Sequence, residues 1–428
     1  MTAHPPDVAP VPVSSRQALR AACVGNAVEW YDFAIFGALG VVITPVFFPA
    51  EDSTSVLLAA FAVYATAFLV RPVGAVVFGR LGDARGRQAV LASVVLVMAG
   101  ATAAVGLLPG HARIGALAGV AVVLLRMLQG LAAGGELGVA GVFIVEHAPP
   151  HRRGGVGSWH TATQALGVAL GLGVAGLLTR FLPVAQHPGW WRIAFLLALP
   201  LGLVGFYLRR GAFESPHFVD LVQQEGRIVR PVGVVWRDHR RAFRSGFALV
   251  GAGALAFNTF FVFVPNYLVA TTTRTLPAAL LAAVLGLVAG AAAALGLGRW
   301  SDRTGRRPVV LGCVAALAVC ALPLMYAVNS GSMPALVLAE VVAGTAIGGA
   351  LSMATITEMF PTAVRATGLA MTAGLASALL GGTAPLVDQI LVTVTGFDLA
   401  PAMYVGGVAL LALLALRTWP ETAFSELG

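Results

Sequence analysis

The sequence predicts an all-α polytopic membrane protein, with twelve transmembrane helices in two pseudo-symmetric six-helix bundles. Three observations carry that prediction. The 428 residues are 58% hydrophobic and only 11% charged, with a mean hydropathy of +0.86. A soluble chain of this length needs far more charge to cover its surface. Apolar runs long enough to cross about 30 Å of hydrocarbon recur along the chain, and backbone in that layer must satisfy its hydrogen bonds within helices. Lastly, several sequence elements occur twice in the same order, once in each half.

Candidate spans cover residues 19–44, 54–78, 88–108, 115–141, 155–182, 193–208, 245–269, 277–298, 308–328, 334–357, 367–394 and 401–418. A polar stretch, 209–244, holds eight Arg and separates spans six and seven. The chain therefore divides into a first bundle, 18–208, a cytoplasmic linker, 209–244, and a second bundle, 245–420. All 27 basic residues are Arg. About 21 of them fall on one side of the bilayer, while Arg113, Arg180, Arg192 and Arg274 fall on the other. That bias places both termini in the cytoplasm and the chain in the plasma membrane. The formal charge of +8 then belongs to the lipid surface, and no nucleic-acid partner is expected. Cys23, Cys313 and Cys320 lie in apolar runs and predict no disulfide framework. The first 17 residues are polar and Pro-rich, without a signal-peptide pattern.

The repeats are specific. "GRLGDARGRQ" (79–88) follows span two and "GRWSDRTGRR" (298–307) follows span eight. "EHAPPHRRG" (146–154) follows span four and "EMFPTAVRATG" (358–368) follows span ten. Within those spans, "RMLQGLAAGGE" (126–136) and "EVVAGTAIGGA" (340–350) share the spacing of three glycines. A duplicated six-helix unit of this kind places a substrate site between the repeats, near the midplane.

The paired G-x-x-x-D-x-x-G-R loops and the six-plus-six layout resemble the major facilitator superfamily. "EWYDF", "RPVGAVVFGRLGDARGR" and "RMLQGLAAGGELG" resemble its metabolite:proton symporter branch. The resemblance implies secondary active transport by alternating access. Substrates in that branch are organic acids such as shikimate, 2-oxoglutarate and citrate, or zwitterionic osmolytes such as proline and betaine. Proton-coupled symport of a small mono-, di- or tricarboxylate by a monomer is the leading expectation. Proton-coupled uptake of a zwitterionic osmolyte is the alternative. Only eight residues follow Pro420, without heptads, which counts against an osmosensing coiled coil. A membrane-embedded enzyme is a third class, but there is no H-E-x-x-H, no Cys/His metal cluster, no G-x-S-x-G elbow and no P-loop. Neither a metal nor a cofactor is expected.

The charges inside the spans are the candidate site residues. In "GNAVEWYDFAIFG" (25–37), Glu29 and Asp32 stand three residues apart and share a helix face. Each ionised group there costs about 2.5–3.5 kcal/mol on insertion scales. Depths counted at about 1.5 Å per residue put Asp32 and Arg126 at one level, about 16–18 Å down. Glu29 and Arg71 share a deeper level, about 23–25 Å, and Glu136 is deepest, at about 31 Å. In sugar porters of the resembled superfamily, a Tyr-Asp in span one faces an Arg in span four, and the acid is the proton site. Tyr31, Asp32 and Arg126 match those positions. The resemblance and the depths together cast Asp32, Glu29 and Glu136 as proton-coupling groups, and Arg126, Arg71 and Tyr31 as substrate-binding groups. The three acids against two arginines leave one net negative charge, which one proton would neutralise.

In the second half Glu340 takes the slot that mirrors Arg126, and Ala350 that of Glu136. Proton chemistry therefore reads as concentrated in the first half. Gln164, Asn258 and Tyr267 are neutral candidates for substrate contact, with Asn266, Gln389 and His160 behind them; interhelical bonding is the plainer role for each. Trp30, Phe33 and Phe36 form an aromatic stripe that reads as packing or as a substrate wall. Gly79, Asp83 and Arg87, with Glu146, Asp302, Arg306 and Glu358, are expected to form the cytoplasmic gate. By resemblance Asp83 meets the start of span eleven near Gly368, and Asp302 the start of span five near Gly155, where the helix dipole favours an anion. Arg87 would then engage Glu146, and Arg306 would engage Glu358.

Overall fold

The computed structural model describes residues 15–49, 52–85, 87–135, 140–146, 148–182, 187, 189–210 and 231–425. Among them, nine helices are long and apolar enough to cross a membrane. They are Ser53–Phe78, Leu117–Gly134, Pro150–Phe181, Trp191–Leu208, Arg240–Thr271, Leu276–Thr304, Arg306–Asn329, Met333–Glu358 and Thr362–Thr395. These are spans two and four to eleven. Span one is a bent pair, Ala22–Ala38 and Gly40–Phe47. Spans three and twelve contain the shorter apolar helices Ser93–Leu107 and Ala400–Leu416. All twelve expected spans are thus present as helices, in two six-helix halves.

The bend of 69° in span one has an identifiable cause. An unbroken helix would join the Val41 N–H to the Gly37 carbonyl. Instead the Asn266 side chain of span seven donates to the Gly37 carbonyl at 2.7 Å and accepts from the Val41 N–H at 3.2 Å. A side-chain amide inserted into the ladder is a recognised origin of sharp kinks. Here it also ties the two halves together. Span two breaks at Val70 for a different reason. Pro72 has no N–H to give the Phe68 carbonyl, so Ser53–Leu69 ends and Arg71–Arg85 begins.

The repeated glycines mark the closest helix approaches. A Cβ on Gly130 or Gly134 of span four would collide with the carbonyls of Ala67 and Arg71 in span two. In the second half, a Cβ on Gly344 or Gly348 of span ten would collide with the carbonyls of Gly286 and Gly290 in span eight. Lipid is as apolar as leucine, so such pairs are held by close backbone packing that only small residues allow. Gly344→Val is expected to lower stability by about 1–3 kcal/mol or more through overpacking. A thermal melt of the detergent-purified protein tests this, with Gly407→Val as control. A Cβ at Gly407 meets open space, so its midpoint should stay at the wild-type value.

The described end of the polar linker is helical: it holds Pro231–Asp238, and span seven begins at Arg240. Proline suits the first helical position, and Val235, fully buried, packs with Phe243, Phe360 and Val364 in a small satellite core. Two π-turns interrupt the second half, Thr259–Phe263 in span seven and Ser377–Gly381 in span eleven.

Candidate functional site

Four buried charges converge where spans one, two and four meet. Arg71 begins the second piece of span two and is fully buried. Its guanidinium lies 4.1 Å from the Phe68 ring centre, 4.3 Å from Phe33 and 5.6 Å from Trp30. Arg126 in span four is also fully buried. Its guanidinium lies 4.3 Å from Phe36, 5.4 Å from Phe33 and 5.5 Å from Tyr64. Phe33 therefore stands between two cations, within the range of about 6 Å for cation–π attraction.

The hydrogen bonds of this cage are incomplete. Arg126 Nη1 donates to Gln129 Oε1 at 2.8 Å, and Gln129 Nε2 donates to Thr102 Oγ1 at 2.5 Å. None of the Arg71 nitrogens has a hydrogen-bond partner, nor do Nε and Nη2 of Arg126. Buried charged donors without partners are costly. A planar fork of this kind matches a carboxylate in two-point geometry.

The acids lie beside these arginines. Asp32 is buried next to Thr102 and Arg126, and Glu29 is the carboxylate that bears on Arg71. The levels read from depth are therefore also electrostatic neighbourhoods. The expected direct pairing of Asp32 with Arg126 needs correction, however. Gln129 is three residues from Arg126 on the same helix face and takes its Nη1, and Asp32 Oδ1 is left without a partner.

Other expected residues stand elsewhere. The Tyr31 hydroxyl donates to the Ala194 carbonyl of span six at 2.9 Å. It is one residue from Asp32, so it faces about 100° round the helix, away from the cage. Tyr267 donates to Asp398 Oδ1 at 2.7 Å and stacks on Phe263, at the end of span seven far from the Arg-rich loops. Gln164 is half-buried in a narrow cleft with Thr161, Phe257, Phe261 and Gly344. That cleft abuts the cage through Phe257, whose ring centre lies 6.0 Å from that of Trp30. Asn258 accepts from the Tyr64 hydroxyl at 2.9 Å and so joins the cage to the second half. The second half also holds two fully buried acids, Glu340 and Asp388. The expectations placed on Glu136, Gly79, Asp83 and Arg87 fall outside the described residues and side chains.

On the face that carries the Arg-rich loops, Asp302 accepts from the Gly154 and Gly155 N–H groups at 2.8 Å each, at the start of span five. Arg306 donates to Asp302 at 2.8 Å and to both Glu358 oxygens at 3.2 Å. Glu146 meets Arg365 at 2.8 Å, across the two halves. Residues 421–425 lie over this layer. Glu421 accepts from the Arg306 and Arg307 N–H groups at 2.7 and 3.0 Å, and Arg153 of the first half donates to the Ser425 carbonyl at 3.0 Å. Burial alone would raise the Glu421 carboxyl, but four backbone N–H groups outweigh it and hold it below the usual carboxylate range. On the opposite face Asn266 bridges the halves, and Phe61 meets Phe263 at 5.8 Å. The cage is closed from both sides.

A buried charged cage in the first half, joined to the second through Asn258, with a contact layer between the halves on each face, is the architecture of a membrane transporter. The sequence profile described as Major Facilitator Superfamily matches residues 31–385, and the chain belongs to that superfamily, in its metabolite:proton symporter branch. It is similar to the ectoine/proline transporter ProP of Corynebacterium glutamicum, with 36% identity over 96% of this chain and 85% of the relative. It is 34% identical to the proline/betaine transporter of Escherichia coli K12, over 95% of this chain and 84% of the relative. The inner membrane metabolite transport protein YhjE of the same strain is 32% identical, with 97% of both chains covered. The solved structure of the proton:xylose symporter XylE bound to a sugar analogue superposes with a TM-score of 0.75, covering 96% of this chain and 97% of that one. At 18% identity that likeness bears on the fold alone.

Proposed function

We propose that this chain takes up a small zwitterionic carboxylate of the proline or betaine kind, driven by protons, across the plasma membrane with both termini in the cytoplasm. The observation that carries the reading is the aromatic cage in which five of six guanidinium nitrogens have no partner. They call for a carboxylate. Among the described charges, with Glu136 outside them, the balance favours one. Arg71 and Arg126 against Glu29 and Asp32 sum to zero when both acids are ionised. A proton on Asp32 leaves one positive charge, which a single carboxylate neutralises and a di- or tricarboxylate oversteps.

The cationic nitrogen of the substrate would rest on the aromatic rings where the cleft meets the cage, Trp30 and Phe257, a contact worth about 0.5–2 kcal/mol. The names of the relatives, for proline, betaine and ectoine, supply the choice of a zwitterion over a simple monocarboxylate, which the charge balance alone does not make. Together they move the reading from the organic acid expected first to the zwitterion held as its alternative. Asp302, Arg306, Glu358 and Glu146 would then form the cytoplasmic gate, opening as substrate leaves the cage.

Competition for labelled proline uptake in proteoliposomes tests the substrate class. Unlabelled proline, betaine and ectoine are expected to compete, and citrate and succinate to be inert. Uptake should rise with outside acidity and collapse with a protonophore. Competition by citrate or succinate without betaine would return the protein to the organic acids.

A further inference from the structure

The second half carries a carboxylate that the reading above leaves without a role. Asp388 lies in Ala384–Thr395 of span eleven and is fully buried. Its Oδ2 accepts from the Thr259 hydroxyl at 2.7 Å, and its Oδ1 has no partner. The elements packed against this helix are Ser53–Leu69, Arg240–Asn258, Thr259–Phe263 and Ala400–Leu416. Their titratable or charged side chains are the phenols of Tyr64 and Tyr404, and Arg240, Arg241 and Arg244. Of these, Tyr404 is near enough for the Asp388 carboxylate to bear on its phenol. The three arginines open span seven at its basic end, with Arg244 about 22 Å along the helix from Thr259. No cation of those elements reaches the carboxylate, and a lone anion among apolar groups is relieved by binding a proton.

Its place in the fold ties it to the cage. Thr259 opens the π-turn of span seven, and the second π-turn, Ser377–Gly381, lies two helical turns before Asp388. Such turns shift helix register and recur at functional sites. The residue before Thr259 is Asn258, which accepts from Tyr64, whose ring faces Arg126 at 5.5 Å. Directly after the second π-turn, Gly382 packs on Phe68, whose ring holds Arg71 at 4.1 Å. The Thr259–Asp388 bond thus ties the first π-turn to the helix that follows the second, and beside each π-turn stands a residue that meets an aromatic ring facing a cage arginine.

We propose that Asp388 is a second proton-binding residue of the transport cycle, protonated in this closed arrangement and ionised when spans seven and eleven separate and admit water. A proton from outside water forms the carboxylic acid, and the same O–H bond breaks to inside water on release. The Thr259 hydroxyl donates to the group in either state. The proposal rests on the proton-driven reading, and its test separates the two. Wild type, Asp388→Asn, Asp388→Glu and Thr259→Val are reconstituted, and proton flux per labelled proline is measured with the pH profile of uptake and with counterflow. Asp388→Asn is expected to keep counterflow, to carry one fewer proton per substrate and to show a shallower pH profile, while Asp388→Glu restores both. An unchanged ratio and profile in Asp388→Asn would overturn the proposal. So would a loss of sodium dependence instead, which would mark a cation site. If Asp388→Asn does not fold, Thr259→Val keeps the carboxyl group and is expected to move the pH midpoint of uptake at an unchanged ratio; an unmoved midpoint overturns the proposal. If the wild type moves no protons, the coupling reading is what fails. Asp388 is then judged by the infrared band of a protonated carboxyl group, which must be present in wild type and diminished in Asp388→Asn.

Discussion

Arg126→Ala is expected to bind labelled proline or betaine on the order of 30- to 3,000-fold more weakly than the wild type. Truncating one member of a buried hydrogen-bonded charge pair costs about 2–5 kcal/mol, and about 1.4 kcal/mol is tenfold in affinity. The charge contact decides the size of the effect, because a cation–π contact contributes at most about 2 kcal/mol. Arg71→Ala should fall in the same range. Each variant removes one half of the cation pair on either side of Phe33. Arg126→Lys should be intermediate, since an ammonium keeps the charge but not the two-point fork. Equilibrium dialysis of purified protein measures all three. Arg126→Ala with wild-type affinity would remove the midplane arginine from the substrate site, leaving the Gln129 bond as its whole function.

The fold was legible because its signals are periodic or repeated. Apolar length marks every span, the paired G-x-x-x-D-x-x-G-R loops mark the duplication, and the repeated glycines prove to be the closest approaches of spans two to four and eight to ten. The charges of the cage were legible because ionised groups in a span are conspicuous, and depth along a helix follows from residue count. Direction around the helix axis was less accessible. Tyr31 and Asp32 are neighbours in sequence, yet one faces span six and the other Arg126. Thr102, Tyr64 and Phe68 carry no charge and belong to no motif, and Gln129 lies in "RMLQGLAAGGE" without a charge to single it out, so nothing in an apolar run distinguishes them from packing residues. The bend in span one is set by a side chain 225 residues away in the chain. Asp388, in "PLVDQIL", is a lone acid outside the repeated elements that organised the reading. Its significance depends on Thr259, 129 residues earlier in the chain.

The two acids of span one should separate by role. Asp32→Asn mimics the protonated side chain, so the cage keeps the charge it has when ready for a carboxylate. Binding should survive in that variant. Counterflow, the exchange of labelled for unlabelled substrate, should survive as well, because it needs no net proton movement. Concentrative uptake should not. At 100 mV and one pH unit, one coupled proton carries about 3.7 kcal/mol, enough for accumulation on the order of 500-fold. With Asp32 unable to exchange its proton, that factor is expected to be lost, leaving only what a proton carried elsewhere in the cycle supplies. Glu29→Gln should be milder, since Glu29 bears on Arg71 while Asp32 lies beside Thr102 and Arg126. Arg71 keeps its aromatic seat against Phe33 and Phe68 in that variant. Counterflow and proton-driven uptake are to be measured side by side in the same reconstituted proteins. If Asp32→Asn still concentrates substrate while Glu29→Gln cannot, the roles are reversed, and the carboxylate beside Arg71 is the one through which the proton gradient acts.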